Sequence, residues 1–152
     1  MVLLTDITYI RRRKHIEDGA DLYSYLCVIM DAFTKEILAY SLNLSPNTDM
    51  VLVAVNMLIE THGDELKPDT DALVHSDQGC QCTNHRFAEV LKNLELRQSM
   101  SRRATWWDNA PQKSLFGHMK NKLRICHRSD GHAIITQKID NWVDYYNNER
   151  PQ

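Results

Sequence analysis

The sequence predicts an α/β domain built on one mixed sheet: a three-strand antiparallel meander, then two parallel strands, with helices on the flanks. Three observations lead there. The first 44 residues hold three β-rich or apolar runs separated by short polar breaks. Helical and strand-like segments then alternate, which favours crossover units over further hairpins. Two helical patterns close the chain. At 152 residues, one domain with a core of its own is expected.

Residues 2–10 are rich in Val, Leu, Thr, Ile and Tyr and read as the first strand. Residues 11–21 are polar, contain Asp-Gly-Ala-Asp, and read as a loop or hairpin tip. Leu22 to Met30 is a nearly continuous apolar run, as expected of a central strand buried on both faces. A turn over 31–36 leads to a third strand over 37–44. Pro46, Asn47 and Thr48 then mark a helix start, with the helix running to about His62 and stopping at Gly63. Its many Val and Met residues leave a strand as the alternative, against which its length speaks.

Ala72 to His75 reads as a short buried strand. Thr83 or Asn84 caps the next helix, where Phe87, Val90, Leu91 and Leu94 recur at helical spacing. Residues 96–100 suit a fifth strand, and 101–109 form a polar loop carrying Trp106 and Trp107. A helix from about Pro111 buries Leu115, Met119 and Leu123. The last helix, from about Gly131 to Asn147, buries Ile135, Ile139, Trp142 and Tyr146.

Charge is unevenly distributed. The formal net charge of −2 combines +3 over residues 1–16, −10 over residues 17–85, +7 over residues 86–128 and −2 over residues 129–152. A polyanion would meet the later, basic stretch rather than the average; the alternative is a solvated basic face. No apolar run approaches the roughly 20 residues that span a bilayer, and the N-terminus lacks the pattern of a signal peptide. A cytoplasmic chain with reduced cysteines, and no membrane partner, is expected.

Two carboxylates stand out. Asp6 lies inside the first predicted strand, where Asp is unfavourable. Asp77 directly follows the fourth, in His-Ser-Asp-Gln-Gly. Acids at strand ends can converge as oxygen ligands for Mg2+ or Mn2+. Taken alone, they read equally as a surface residue and a turn former. His75, Cys80, Cys82 and His85 are poorly spaced for zinc, and the two thiols read as ordinary. Cys27 and Cys126 read as core residues. Trp106 and Trp107 read as packing more readily than as base-stacking groups, and Asp108 and Asn109 as turn and cap residues.

Six segments in order resemble the motifs of one family. They are Thr-Asp-Ile-Thr-Tyr-Ile from Thr5, Val-Ile-Met-Asp-Ala-Phe-Thr-Lys-Glu-Ile from Val28, His-Ser-Asp-Gln-Gly from His75, Ser-Met-Ser-Arg-Arg from Ser99, Trp-Asp-Asn-Ala-Pro from Trp107 and Tyr-Tyr-Asn-Asn-Glu-Arg-Pro from Tyr145. The chain resembles the catalytic core of insertion-sequence transposases of the retroviral-integrase-like (DDE) type. That resemblance implies an RNase-H-like fold, DNA as substrate, two-metal phosphoryl transfer, a homo-oligomeric assembly and work at the nucleoid.

In that family the metal ligands are Asp, Asp and Glu. The first two correspond to Asp6 and Asp77; the Glu position is held by Lys113, with 35 residues intervening after Asp77. Mg2+ or Mn2+ is the implied cofactor, two ions in an intact relative and one or none here. A family Lys corresponds to Lys120. On a helix, Lys113, Gly117, Lys120 and Arg124 share one face, suited to phosphate contacts; Arg102 and Arg103 add to the expected DNA surface. The expected organisation is a catalytic core over 1–152, truncated within its last motif and without an N-terminal recognition domain. The expected function is metal-dependent DNA strand cleavage and transfer, crippled by Lys113. Rival readings are a non-enzymatic DNA-binding or oligomerisation module of the same fold and an RNase-H-like nuclease.

Overall fold

The computed structural model describes residues 1–14, 21–66, 71–77, 84–100, 110–123 and 131–149. Its elements follow the predicted order: β1 (Val2–Lys14), β2 (Asp21–Asp31), β3 (Ile37–Asn43), α1 (Thr48–His62), β4 (Leu73–Ser76), α2 (His85–Asn93), β5 (Arg97–Met100), α3 (Ala110–Leu123) and α4 (His132–Asn148). The strands form one sheet in the order β3-β2-β1-β4-β5. β1 is antiparallel to β2, and β2 to β3, while β4 runs parallel to both β1 and β5. This is the expected meander plus two parallel strands, with β1 at the centre.

Local sequence explains the element ends. Asn47 caps α1 by accepting from the Met50 N–H at 3.0 Å, and Asn84 caps α2 by accepting from the Arg86 N–H at 2.9 Å. Each satisfies a donor that the first helical turn leaves open. Thr83, the other predicted cap, lies outside the described residues. The segment 48–62, ambiguous in composition, is a helix.

One expectation needs correction. It concerns 11–21: β1 continues to Lys14 and β2 begins at Asp21, with Arg11 opposite Tyr23 and Lys14 opposite Asp21. A ladder is built from backbone groups, so polar side chains do not by themselves end it. The Tyr9 and Tyr23 rings also meet edge to face at 5.3 Å across this hairpin. Residues 15–20, the remainder of the expected loop, lie outside the described residues. α1 ends at His62 with Gly63 as its C-cap, as expected, and the chain then passes into a 3-10 turn ending at buried Leu66.

The sheet is covered on both faces. Leu3, Cys27, Ile29 and Ala39 pack with α1 and α2, whereas Leu4, Leu26, Val28 and Met30 pack with α3 and α4. Residues 26–30 of β2 are all buried, as the continuous apolar run requires. On α3, Leu115 and Met119 are buried and Leu123 is partly buried, as predicted. Gln112 and Phe116 join them, so the buried stripe is wider than the sequence reading drew it. Ile135, Ile139, Trp142 and Tyr146 of α4 are buried as expected.

The Tyr-Tyr-Asn-Asn segment sits at the end of α4 against β3, an edge strand. The Asn147 amide accepts from the Ile37 N–H at 3.0 Å and donates to the Ile37 carbonyl at 2.9 Å. It stands in for the peptide of a sixth strand and blunts that edge. Tyr146 stacks at a tilt on Trp142 with ring centroids 5.2 Å apart. Asn147→Ala would leave both Ile37 groups unpartnered in a part-buried seam. The expected loss is about 1–3 kcal/mol, read by urea unfolding with an unchanged m value. A loss of a few tenths would show that water replaces the clasp.

Candidate active site at the end of strand β4

The site arises from where β4 stops. Its parallel register with β1 pairs Val2 with Leu73 and ends with Thr5 opposite Ser76. Asp6 and Asp77 are the next residues on the two strands. Side chains alternate along a strand, so Asp6 follows Leu4, and Asp77 follows His75, on the face that α3 covers. The two carboxylates therefore leave neighbouring strands on the same side. Asp6 is partly buried and Asp77 is exposed. The Asp6 carboxylate accepts from its neighbour, the Ile7 N–H, at 2.8 Å.

Electrostatics brings the third residue in. Burial raises the Asp6 pKa from 3.8 to about 6, and the charge of Asp77 pushes the same way. The Ile7 N–H and the Lys113 ammonium pull it back. The charges of Asp77 and Lys113 thus both reach Asp6. Lys113 is exposed on α3, one residue beyond Gln112, which is wholly buried.

Two adjacent carboxylates, one of them destabilised by burial and by its neighbour, fit a divalent cation. Lys113, whose charge reaches Asp6, cannot itself be a ligand, because a protonated Lys has no lone pair to offer. Among the described residues, no group of three His, Cys, Asp or Glu side chains converges as a metal set.

Of the other candidate residues, Lys120 is exposed on α3, with its ammonium 4.4 Å from the centroid of the Tyr9 ring. Gly117 is exposed beside it. Arg102, Arg103 and Arg124 lie outside the described residues, as do Trp106, Trp107, Asp108, Asn109 and Cys126. His75 and His85 do not share partners: His75 pairs with Ser99 at 3.2 Å, whereas His85 is exposed beside Glu89 at 3.8 Å. Cys80 and Cys82 lie outside the described residues. Cys27 is a core thiol, as expected. The sequence reading missed Gln112; a polar residue between Pro111 and Lys113 gave no sign that it points into the sheet.

A family model described as "Integrase core domain" matches residues 2–105, and a second model of the same description matches residues 94–152. The chain belongs to the integrase core domain family. It is 32% identical over 126 residues to the putative transposase InsK for insertion sequence element IS150 of Escherichia coli K12, covering 83% of this chain and 43% of that protein. It is 29% identical over 150 residues to the transposase for insertion sequence element IS904 of Lactococcus lactis, covering 98% of this chain and 55% of that protein. The integrase core thus spans about half the length of these relatives. Among solved structures it resembles the HTLV-2 integrase catalytic core domain in complex with magnesium, in a dimeric form. The TM-score is 0.71 at 16% identity, over 98% of this chain and 87% of that one. The fold is that of the RNase-H-like integrase and transposase cores.

The raised Asp6 pKa has a consequence for stability. The folded chain holds this proton up to about pH 6, whereas an unfolded chain releases it near 3.8. Asp6 therefore opposes folding increasingly as pH rises through that window. Asp6→Asn should match the parent near the bottom of that window and exceed it above the top by at most about 3 kcal/mol, measured by urea unfolding with EDTA present. A constant difference across that range would show that Asp6 titrates normally.

Proposed function

We propose that the chain is the catalytic core of an insertion-sequence transposase whose cation site is incomplete. DNA is its substrate class and Mg2+ or Mn2+ its cofactor, with Asp6 and Asp77 as ligands and Lys113 at the corner where a third carboxylate belongs. The observation that carries the reading is the β1–β4 register, which sets Asp6 beside Asp77 with the Lys113 charge in reach. Two curated relatives bearing the name transposase support the DNA-directed reading, and a structural neighbour solved in complex with magnesium supports a divalent cation.

When bound, divalent cations lend positive charge to the phosphoryl oxygens and the leaving oxygen during displacement. This chain's own residues have separate tasks. Asp6 and Asp77 supply the negative charge that holds a cation at the sheet end. Lys113 partly neutralises that pair and competes with a cation for it. Lys120, held over the Tyr9 ring, lies on the face suited to backbone phosphates. A second copy of the chain is the expected protein partner. Lys113 itself favours one other reading, in which the domain is kept for DNA binding or assembly and not for cleavage.

The experiment compares nicking of a supercoiled plasmid in Mn2+ by this chain and by Lys113→Glu, with Lys113→Glu/Asp6→Asn as control. Lys113→Glu should nick at least about 10²-fold faster, and the added Asp6→Asn should abolish the gain. Equal rates for the parent and the Lys113→Glu variant would contradict the assignment of position 113.

A further inference from the structure

Gln112 is the one wholly buried amide on α3 among the described residues. Its Nε2 donates to the Val28 carbonyl at 2.8 Å and to the Leu4 carbonyl at 3.3 Å. Those carbonyls belong to β2 and β1, so one side chain spans the seam between two strands. Val28 is the Cα partner of Asp6, and Leu4 precedes Asp6 by two on the same face. The latch therefore closes on the short stretch of sheet that presents Asp6. Reversed, the amide would aim its oxygen at two carbonyl oxygens, so it has a single orientation. Its Oε1 is buried without a hydrogen-bond partner among the described residues. That is a penalty which an apolar side chain of the same length would not incur.

Consecutive residues on a helix point about 100° apart. With Gln112 driven into the β1–β2 seam, the next side chain turns out of the interface. Its charge is felt at Asp6, and it is exposed. An apolar residue at 112 could bury itself at several depths and rotations, because the hydrophobic effect is non-directional. Two hydrogen bonds to carbonyls on different strands admit one.

We propose that Gln112 is a positioning residue: it fixes the rotation and depth of α3 on the sheet and so sets where the side chain at position 113 stands relative to Asp6. The inference rests on the reading of Asp6, Asp77 and position 113 as the cation site. It assigns Gln112 no contact with cation or substrate. In this chain it places the Lys113 ammonium beside the carboxylate pair; in a chain with Glu at that position it would place the third ligand.

Mn2+ binding by the full chain tests this without reference to turnover. Isothermal titration with Mn2+ compares the parent, Lys113→Glu, and Lys113→Glu combined with Gln112→Met or Gln112→Leu, with thermal melting of each. Lys113→Glu should bind Mn2+ more tightly than the parent. Either substitution at 112 should then weaken that binding by about 10- to 100-fold, the range for residues that orient metal ligands, while the melting midpoint holds or rises. Undiminished Mn2+ affinity in the Met and Leu variants would overturn the proposal. So would a loss that only tracks lowered melting in both, because Gln112 would then be mere packing. No gain from Lys113→Glu alone would sink the cation-site reading instead, leaving Gln112 with nothing to position.

Discussion

The parallel pairing of β1 with β4 is the constraint on which the site depends. It is short, running from Val2 opposite Leu73 to Thr5 opposite Ser76. Because it stops there, the next residue on each strand carries its side chain to the end of the ladder. Both are Asp, both emerge on the face covered by α3, and burial of one makes the pair electrostatically uneasy. A register slip of one residue would send one carboxylate to the opposite face. The large apolar contacts on both sides of β1 and β2 prevent such a slip, since Leu3 and Leu4 belong to different cores. The core packing is therefore also what aligns the chemistry.

The second layer of control is α3. Its buried stripe of Gln112, Leu115, Phe116 and Met119 holds the helix on the sheet. The residues between, Lys113, Gly117 and Lys120, remain exposed. The same helix thus supplies packing on one side and positive charge on the other. On the proposed reading, a carboxylate at 113 would add a third negative charge beside Asp6 and Asp77, which a bound cation would relieve, whereas the Lys113 charge already offsets part of the burden on Asp6.

Much of this was legible in the sequence, and the limits have physical causes. The apolar run of β2, the stripes of α3 and α4, and the Asn caps are local patterns, and each appeared where read. Asp6 was conspicuous because Asp is out of place inside a strand. Its nearness to Asp77, 71 positions away, is a matter of register, which periodicity does not encode; only the ordered motifs pointed to it. The hairpin extension beyond Ile10 was missed because backbone pairing leaves no apolar signature. Gln112 was missed because burial of an amide depends on carbonyls contributed by Leu4 and Val28, far off in the chain. The Asn147 clasp on Ile37 is hidden for the same reason: both partners look like ordinary members of their own elements.

The central claim is that two carboxylates and a lysine make half of a two-cation site. Anomalous diffraction from crystals of this chain soaked in Mn2+ counts the ions directly. The account predicts a single Mn2+ peak shared by Asp6 and Asp77, with the Lys113 ammonium on the side where a second ion would stand. Two peaks at these carboxylates, or a Mn2+ peak elsewhere and none beside Asp6, would contradict it.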